Sequence, residues 1–310
     1  MTDRDCVVTG LDVAAATGLN LDQYWQRTVE GASGIDVVPE FDTRYSAALA
    51  GRISGFDPAD FLPGRLIKQT DRVTQLALVS AERALVDAKV DTSTLNPFDC
   101  SVITSNATGG FEFSHREMQR LWTEGRESVS VYQCFAWFYA VNTGQISIRH
   151  GMKGPSAVLV AEQAGGLDAI GHARRSIRAG HCSLAVTGGM ESSFDPWGWV
   201  SHLACGSIAT TRAPEQGYLP FAPGNNTHVP GEGGAMLVVE SGLQAGRRCY
   251  GHICGYAAAF NPRDDHTYTQ PLARAISSAL DDAHITAAEV DVVFADASGV
   301  SADDAAQAAG

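Results

Sequence analysis

The segment SAVLVAEQAGGLDAIGHARRSIRAG, residues 156–180, holds the residues best placed to do chemistry. An apolar run ends at Ala161-Glu162, a sharp turn follows, and Gly165-Gly166 opens a helix with Leu167, Ile170 and Ile177 facing inward. A strand, a turn and a helix in that order form an elbow that presents the turn residue to a ligand, and the N–H groups of the helix start can stabilise an oxyanion there. The residue presented is Gln163. An amide donates and accepts hydrogen bonds, but it has no pKa that would make it a nucleophile or a general base. From the residues alone two readings stand: Gln163 faces a ligand, or it fills and caps the turn.

The remaining chemistry-bearing types are sparse in pattern. There is no G-x-x-x-x-G-K-[ST], no G-x-G-x-x-G after a strand, no H-E-x-x-H and no G-x-S-x-G. Gly231-Glu232-Gly233-Gly234 leads into a strand rather than a helix, so a tight turn is expected there and not a phosphate cradle. Seven cysteines (Cys6, Cys100, Cys134, Cys182, Cys205, Cys249, Cys254) are scattered without a C-x-x-C, which suggests neither a disulfide framework nor a zinc site. His202-x-x-Cys205 has ligand spacing for two groups where a site needs three or four, so no metal is expected.

The elements that must position these residues alternate between short apolar runs and helical patterns, which points to an α/β architecture. Strands are expected at 6–10, 100–105, 156–161, 183–189, 234–240 and 290–296. A helix is expected over 70–87, where Val73, Leu76, Ala77, Ala81, Ala84 and Leu85 share one face behind Asp71, and another from Pro271, with Leu272, Ile276, Leu280 and Ala283 inward. The order strand, helix, strand recurs around Ile253, 271–283 and 290–296, as a faint internal duplication whose second copy stops at Gly310 and would leave a sheet edge exposed.

Composition bounds the partners. The 310 residues are 45% hydrophobic and carry 22 Lys and Arg against 35 Asp and Glu, a net charge of −13, so a buried core is affordable and a non-specific grip on nucleic acid or an anionic membrane is disfavoured. No apolar run has the length of a membrane span and the first residues lack the layout of a secretory signal, which gives a cytoplasmic expectation.

LVAEQAGGLDA (159–169) resembles the active-site elbow of β-ketoacyl synthases, with Gln163 where a condensing enzyme has its acyl-accepting Cys. This Gln in this context is the signature of the chain-length factor, the ketosynthase-like β subunit of type II (aromatic) polyketide synthases. FAWFYAVNTGQISIRHGMKGPS (135–156), DPWGWVSHLA (195–204), YLPFAPGNNTHVPGEGGAMLVVE (218–240) and VDVVFADASG (290–299) resemble the same subunit. The resemblance implies a thiolase-like β-ketoacyl synthase fold, layered α-β-α-β-α from two duplicated halves. These would be an N-terminal half at 1–245 and an incomplete, C-terminally truncated half at 246–310.

It also implies the function. Where the family's N-A-H-G-T-G-T stretch carries the general acid/base His, this sequence has Asp296, normally an acceptor-only anion at neutral pH. Condensation is therefore not expected of this chain. Such subunits pair with a ketosynthase α subunit, and a poly-β-ketone on the phosphopantetheine arm of acyl carrier protein extends into a tunnel at their interface. No cofactor of the chain's own is implied. Phe111, Ser114 and Met118 fall at i, i+3 and i+7 of an expected helix, and these, with Trp197, resemble the family's tunnel-gating positions. Ser114 and the flexible Met118 leave room, so a chain longer than an octaketide is expected, with a decaketide the best single value. Phe135, Trp137, Phe138 and Tyr139 are expected at the subunit interface, although an internal core strand would suit them too. Arg65, Lys68 and Arg72 read as a solvated basic cluster. The alternative function is decarboxylation of malonyl thioester at Gln163 to supply an acetyl primer, which an anion at Asp296 would oppose.

Overall fold

The computed structural model describes residues 5–261 and 269–309. Among these residues eight strands form: β1 (Cys6–Ala15), β2 (Asp36–Val37), β3 (Leu49–Ala50), β4 (Cys100–Ser105), β5 (Ala157–Leu159), β6 (Leu184–Glu191), β7 (Gly233–Ser241) and β8 (Gly251–His252). The helices of nine residues or more are α1 (Leu21–Val29), α2 (Arg72–Asp87), α3 (Phe111–Glu124), α4 (Val141–His150), α5 (Gly165–Arg178), α6 (Pro196–Ala204), α7 (Thr269–Ala283) and α8 (Ser301–Ala309). Six strands make one sheet in the order β5-β4-β6-β7-β1-β8, and β2 pairs with β3. β4 is parallel to β5 and to β6, whereas the β6–β7, β7–β1 and β1–β8 pairs are antiparallel.

The chain divides into two compact units. The first draws on 1–34, 52–201 and 231–253 and contains the six-stranded sheet. Successive strand residues point to opposite faces. Val102, Val186 and Val238 accordingly pack with Val73, Leu76, Ala77, Ala81, Ala84 and Leu85 of α2 on one side. Ile103, Ala185 and Val239 pack with Ala169, Ala173 and Ile177 of α5 on the other. A sheet covered on both faces buries its central strands at every position, and β4 is buried throughout, its polar Ser101, Thr104 and Ser105 included. Each of the Val, Leu and Ile side chains on these two faces contributes about 1.5–3 kcal/mol on burial. Gly10 lets β1 lie against α2, because a Cβ there would stand 2.6 Å from Ala88 N and collide with Ala84 O.

Glu232 makes the GEGG segment more than a turn. Its buried carboxylate accepts from Arg72 Nε (2.5 Å) and Nη2 (3.0 Å), Ile53 N–H (2.9 Å) and Ser192 Oγ (2.6 Å). Arg72 is thus a paired, mostly covered cation, not the solvated member of a basic cluster. Burial excluded by spacing alone is supplied here by a partner 160 residues away.

The second unit draws on 35–51, 202–230 and 254–310 and holds β2, β3, α7 and α8. Buried Asp304 of α8 accepts from Phe221 N–H (2.7 Å) and Gly299 N–H (3.3 Å), and Ser301 N–H donates to Asn225 O (2.8 Å). These bonds fix the loop that follows Asp296.

Most expected elements form, with informative exceptions. The run 156–161 is a strand only over Ala157–Leu159, since the chain bends away into the elbow. The expected helix from Pro271 forms as α7, but its expected inward face is not buried: Leu272, Leu280 and Ala283 are partly covered and Ile276 is exposed. The run 290–296 is not in a strand; Val292, Val293 and Phe294 are 65%, 78% and 94% exposed. Its composition suits a buried strand, but among the described residues no strand lies beside it to complete a ladder. The 135–139 segment is not a core strand either: Gln133–Ala136 is one helical turn and irregular chain follows.

Candidate functional site

Parallel β4, β5 and β6 place their carboxyl ends along one edge of the sheet, the edge at which open α/β sheets bind ligands. The turn carrying Gln163 follows β5, Gly109-Gly110 and α3 follow β4, and Asp195 and α6 follow β6. Three segments distant in sequence therefore emerge from neighbouring strand ends.

The elbow expected from the sequence is present. Glu162–Ala164 is a single 3-10 turn, and Glu162 takes φ +44°, a left-handed conformation costly for a side-chain-bearing residue and typical of functional turns. Gln163 is exposed at this turn. Gly165 must lack a side chain, because a Cβ would fall on Ser105 Oγ at the end of β4. No side chain caps α5, and the N–H of Gly165, its first residue, donates to Glu162 O through the preceding turn. The turn offers amide and backbone donors, and no thiol or hydroxyl nucleophile. Cys6, Cys100 and Cys182 are buried elsewhere, and burial pushes the Cys100 thiol up to about 11.

α3 brings the tunnel candidates together. The Phe111 and Trp197 rings meet edge to face at 6.2 Å, and His115, one turn beyond Phe111, meets the same indole at 5.6 Å. Ser114 Oγ accepts from Gln133 Nε2 at 3.0 Å. Met118 lies a turn further along the same face, half-buried. Three carboxylates, Asp71 and Glu117 buried and Glu191 partly buried, hold α3 and the segments beside it. Asp71 Oδ1 caps α2 at Val73 N–H (3.2 Å) while Oδ2 accepts from Phe113 N–H (2.6 Å), at the start of α3. Glu191 accepts from Ala107 N–H (2.7 Å), Thr108 N–H (3.1 Å) and the Thr108 hydroxyl. Glu117 accepts from Ser130 N–H (2.6 Å) and pairs with Arg120 (3.0 Å).

Burial, with a lesser push from Glu112, raises the Asp71 carboxyl to about 7 against the opposing pull of its two N–H donors. Asp195, which accepts from Trp197 N–H (2.9 Å), is raised by burial in the same way. In the second unit, Asp296 is held above the usual carboxylate range by partial burial and by Asp303 and Asp304. Tyr218 Oη donates to Ala297 O (2.5 Å), and Ala297 takes φ +54°. No imidazole occupies the Asp296 position.

The aromatic run 135–139 forms a chain of ring contacts, Tyr132–Phe135 (6.0 Å), Trp137–Phe138 (5.4 Å) and Phe138–Tyr139 (4.9 Å). Trp137 and Phe138 remain over 40% exposed. Phe135, Phe138, Tyr132, Val141 and Ile148 line a groove of about 500 Å³. The run seats on α3's start, where Gly110 N–H donates to Trp137 O (3.1 Å) and Asn106 Nδ2 to Tyr139 O (2.8 Å).

Spacing could have revealed His115, which stands at i+4 from Phe111 on the same stripe. Asp71 and Asp195 show locally only as helix caps; the bond of Asp71 to Phe113 N–H, those of Glu191 to Ala107 and Thr108, and that of Gln133 to Ser114 carry no local signal, because the partners lie on other segments. Among the described residues no group of three or more His, Cys, Asp or Glu is gathered as a metal site, and no helix is long and apolar enough to cross a membrane.

A profile of the β-ketoacyl synthase N-terminal domain matches residues 3–245. The chain belongs to the β-ketoacyl synthase family. It is 53% identical over 307 residues to the actinorhodin polyketide β-ketoacyl synthase 2 of Streptomyces coelicolor, covering 97% of this chain and 75% of that protein. It is 50% identical over the same length to the tetracenomycin polyketide synthase ketoacyl synthase beta subunit of Streptomyces glaucescens, with the same coverage. These relatives set the chain among the ketosynthase β, or chain-length-factor, subunits of aromatic polyketide synthases, as the elbow sequence implied. In fold it is similar to a type II ketosynthase solved with its acyl carrier protein and bound to a hexaketide (TM-score 0.87, 23% identity, 99% of this chain and 77% of that one). It is also similar to the ishigamide ketosynthase/chain length factor (TM-score 0.87, 22% identity, the same coverage). The fold of this β-ketoacyl synthase subunit is thus thiolase-like, as expected.

Proposed function

We propose that this chain is the non-condensing half of a heterodimer with a ketosynthase α subunit, and that it sets the length of a poly-β-ketone. The growing chain would arrive on the phosphopantetheine arm of acyl carrier protein and extend along the wall of Phe111, Ser114, Met118 and Trp197. The Phe111–Trp197 contact, with Ser114 and Met118 on the same helix face, carries this reading. Side-chain volume there limits depth, and small Ser114 supports a product longer than an octaketide, a decaketide by best estimate. The aromatic run Phe135, Trp137, Phe138 and Tyr139, exposed at Trp137 and Phe138, suits the α-subunit contact. The division into halves at 1–245 and 246–310 belongs to the same reading and is supported by the extent of the matched N-terminal domain. So does a cytoplasmic location, where carrier-bound malonyl groups are made.

Enlarging Ser114 to Phe and Met118 to Trp tests the wall. Reconstitution with an α subunit, malonylated acyl carrier protein and mass spectrometry should show chains shortened by one or more malonyl units. Unchanged length would remove both residues from the wall.

A second activity is favoured by the elbow. The Gln163 side-chain amide, with the backbone N–H groups of the turn that precedes α5, could hold the enolate left when malonyl thioester loses carbon dioxide, without any nucleophile. Acetyl carrier protein formed by this chain alone and reduced about a hundredfold or more by Gln163→Ala would support it, that being the scale of one lost oxyanion donor. Equal acetyl formation by the variant would end it.

A further inference from the structure

The stripe that supports the tunnel reading contains a polar residue that reading does not use. Phe111, Ser114, His115 and Met118 stand at i, i+3, i+4 and i+7 of α3, and the His115 ring packs edge-on to Trp197. His115 Nε2 is buried with no hydrogen-bond partner among the described residues. Gln133 uses Nε2 on Ser114, and its Oε1 is likewise buried and unpartnered. Asp195 uses Oδ1 on Trp197 N–H and leaves Oδ2 in the same condition. An unsatisfied buried polar atom costs about 1–3 kcal/mol, so three such atoms, on a residue of this stripe, on the partner of Ser114 and on the residue that bonds Trp197 N–H, call for a ligand able to answer them.

A saturated acyl chain offers such atoms nothing. A poly-β-ketone offers a carbonyl acceptor at every second carbon and, where a 1,3-dicarbonyl enolises, a hydroxyl donor. We propose that His115 and Gln133 are carbonyl-binding residues of the tunnel wall, His115 Nε2–H donating to a ketone oxygen and Gln133 Oε1 accepting from an enol hydroxyl. The wall then selects an unreduced polyketone as well as limiting its length. This role rests on the tunnel reading.

The test uses the full chain paired with an α subunit and malonylated acyl carrier protein, with His115→Phe, His115→Gln, Gln133→Leu and Ser114→Phe variants. Product yield and length are read by mass spectrometry, and heterodimer affinity by titration calorimetry. His115→Phe and Gln133→Leu should each lower the yield of the longest polyketone about tenfold per intact heterodimer, the worth of one buried hydrogen bond. His115→Gln, which keeps a donor, should recover most of it. Unchanged products from both variants while Ser114→Phe shortens the chain would overturn the proposal and leave the tunnel standing. Weaker heterodimer with full yield per heterodimer would also overturn it, since the polar atoms would then face the partner subunit. No effect of Ser114→Phe would defeat the tunnel reading, and the carbonyl-binding role with it.

Discussion

Asp71 stands where two helices begin, with one carboxylate oxygen on Val73 N–H and the other on Phe113 N–H. Its carboxyl lies at about 7 in the folded chain against an ordinary value of 3.8. A raised acid pKa means that the folded state holds a proton which the unfolded state has lost. Stability from this group therefore falls as pH rises from about 4 to 7 and is flat above. Asp12, raised to about 6 mainly by burial, adds to the same slope. Asp71→Asn should flatten part of that dependence while keeping one acceptor, and urea unfolding between pH 5 and pH 8 would measure it. An unaltered slope would mean that the Asp71 proton is not coupled to folding. The sequence marked Asp71 as the start of a helix, but not as the clamp on a second helix 42 residues later. A short polar side chain before an apolar period is a local signal; the second bond exists only after folding.

At the scale of elements, Gly109 and Gly110 determine how α3 starts. Gly109 takes φ +61°, and a Cβ at Gly110 would fall on Ala136 O. The aromatic run 135–139 can lie against the helix start only because these positions are bare. Gly110→Ala should cost about 1–3 kcal/mol in urea unfolding, as overpacking does, and should weaken pairing with the α subunit by moving that run. Full stability and pairing would show that the segment shifts freely. The helices were legible because three-to-four periodicity is written within one segment, as in α2 and α3. The strand at 156–161 was overestimated because nothing in SAVLVA records where the parallel ladder to β4 must stop.

At the scale of the whole molecule, Val292, Val293 and Phe294 form an exposed apolar run in a chain that spans about three quarters of its relatives' length. Exposed runs of β-branched and aromatic residues favour association. Val293→Ser with Phe294→Ser should raise the soluble fraction and shift unfolding by no more than about 0.5 kcal/mol, as expected at exposed positions. A loss well beyond that would show the run to be packed.

Local order by itself determined the alternating α/β elements, the elbow and the amide at its apex, because turn chemistry and periodicity act between near neighbours. It also determined the family, through the side chains at that elbow. Tertiary structure decided what surrounds them: which strand ends stand together, that Trp197 closes on Phe111 and His115, and that Glu232 and Asp71 are buried clamps. It decided too that VDVVFAD stays out of a sheet. A hydrogen bond or ladder across scores of residues depends on where both partners are brought, and no spacing along one segment encodes that.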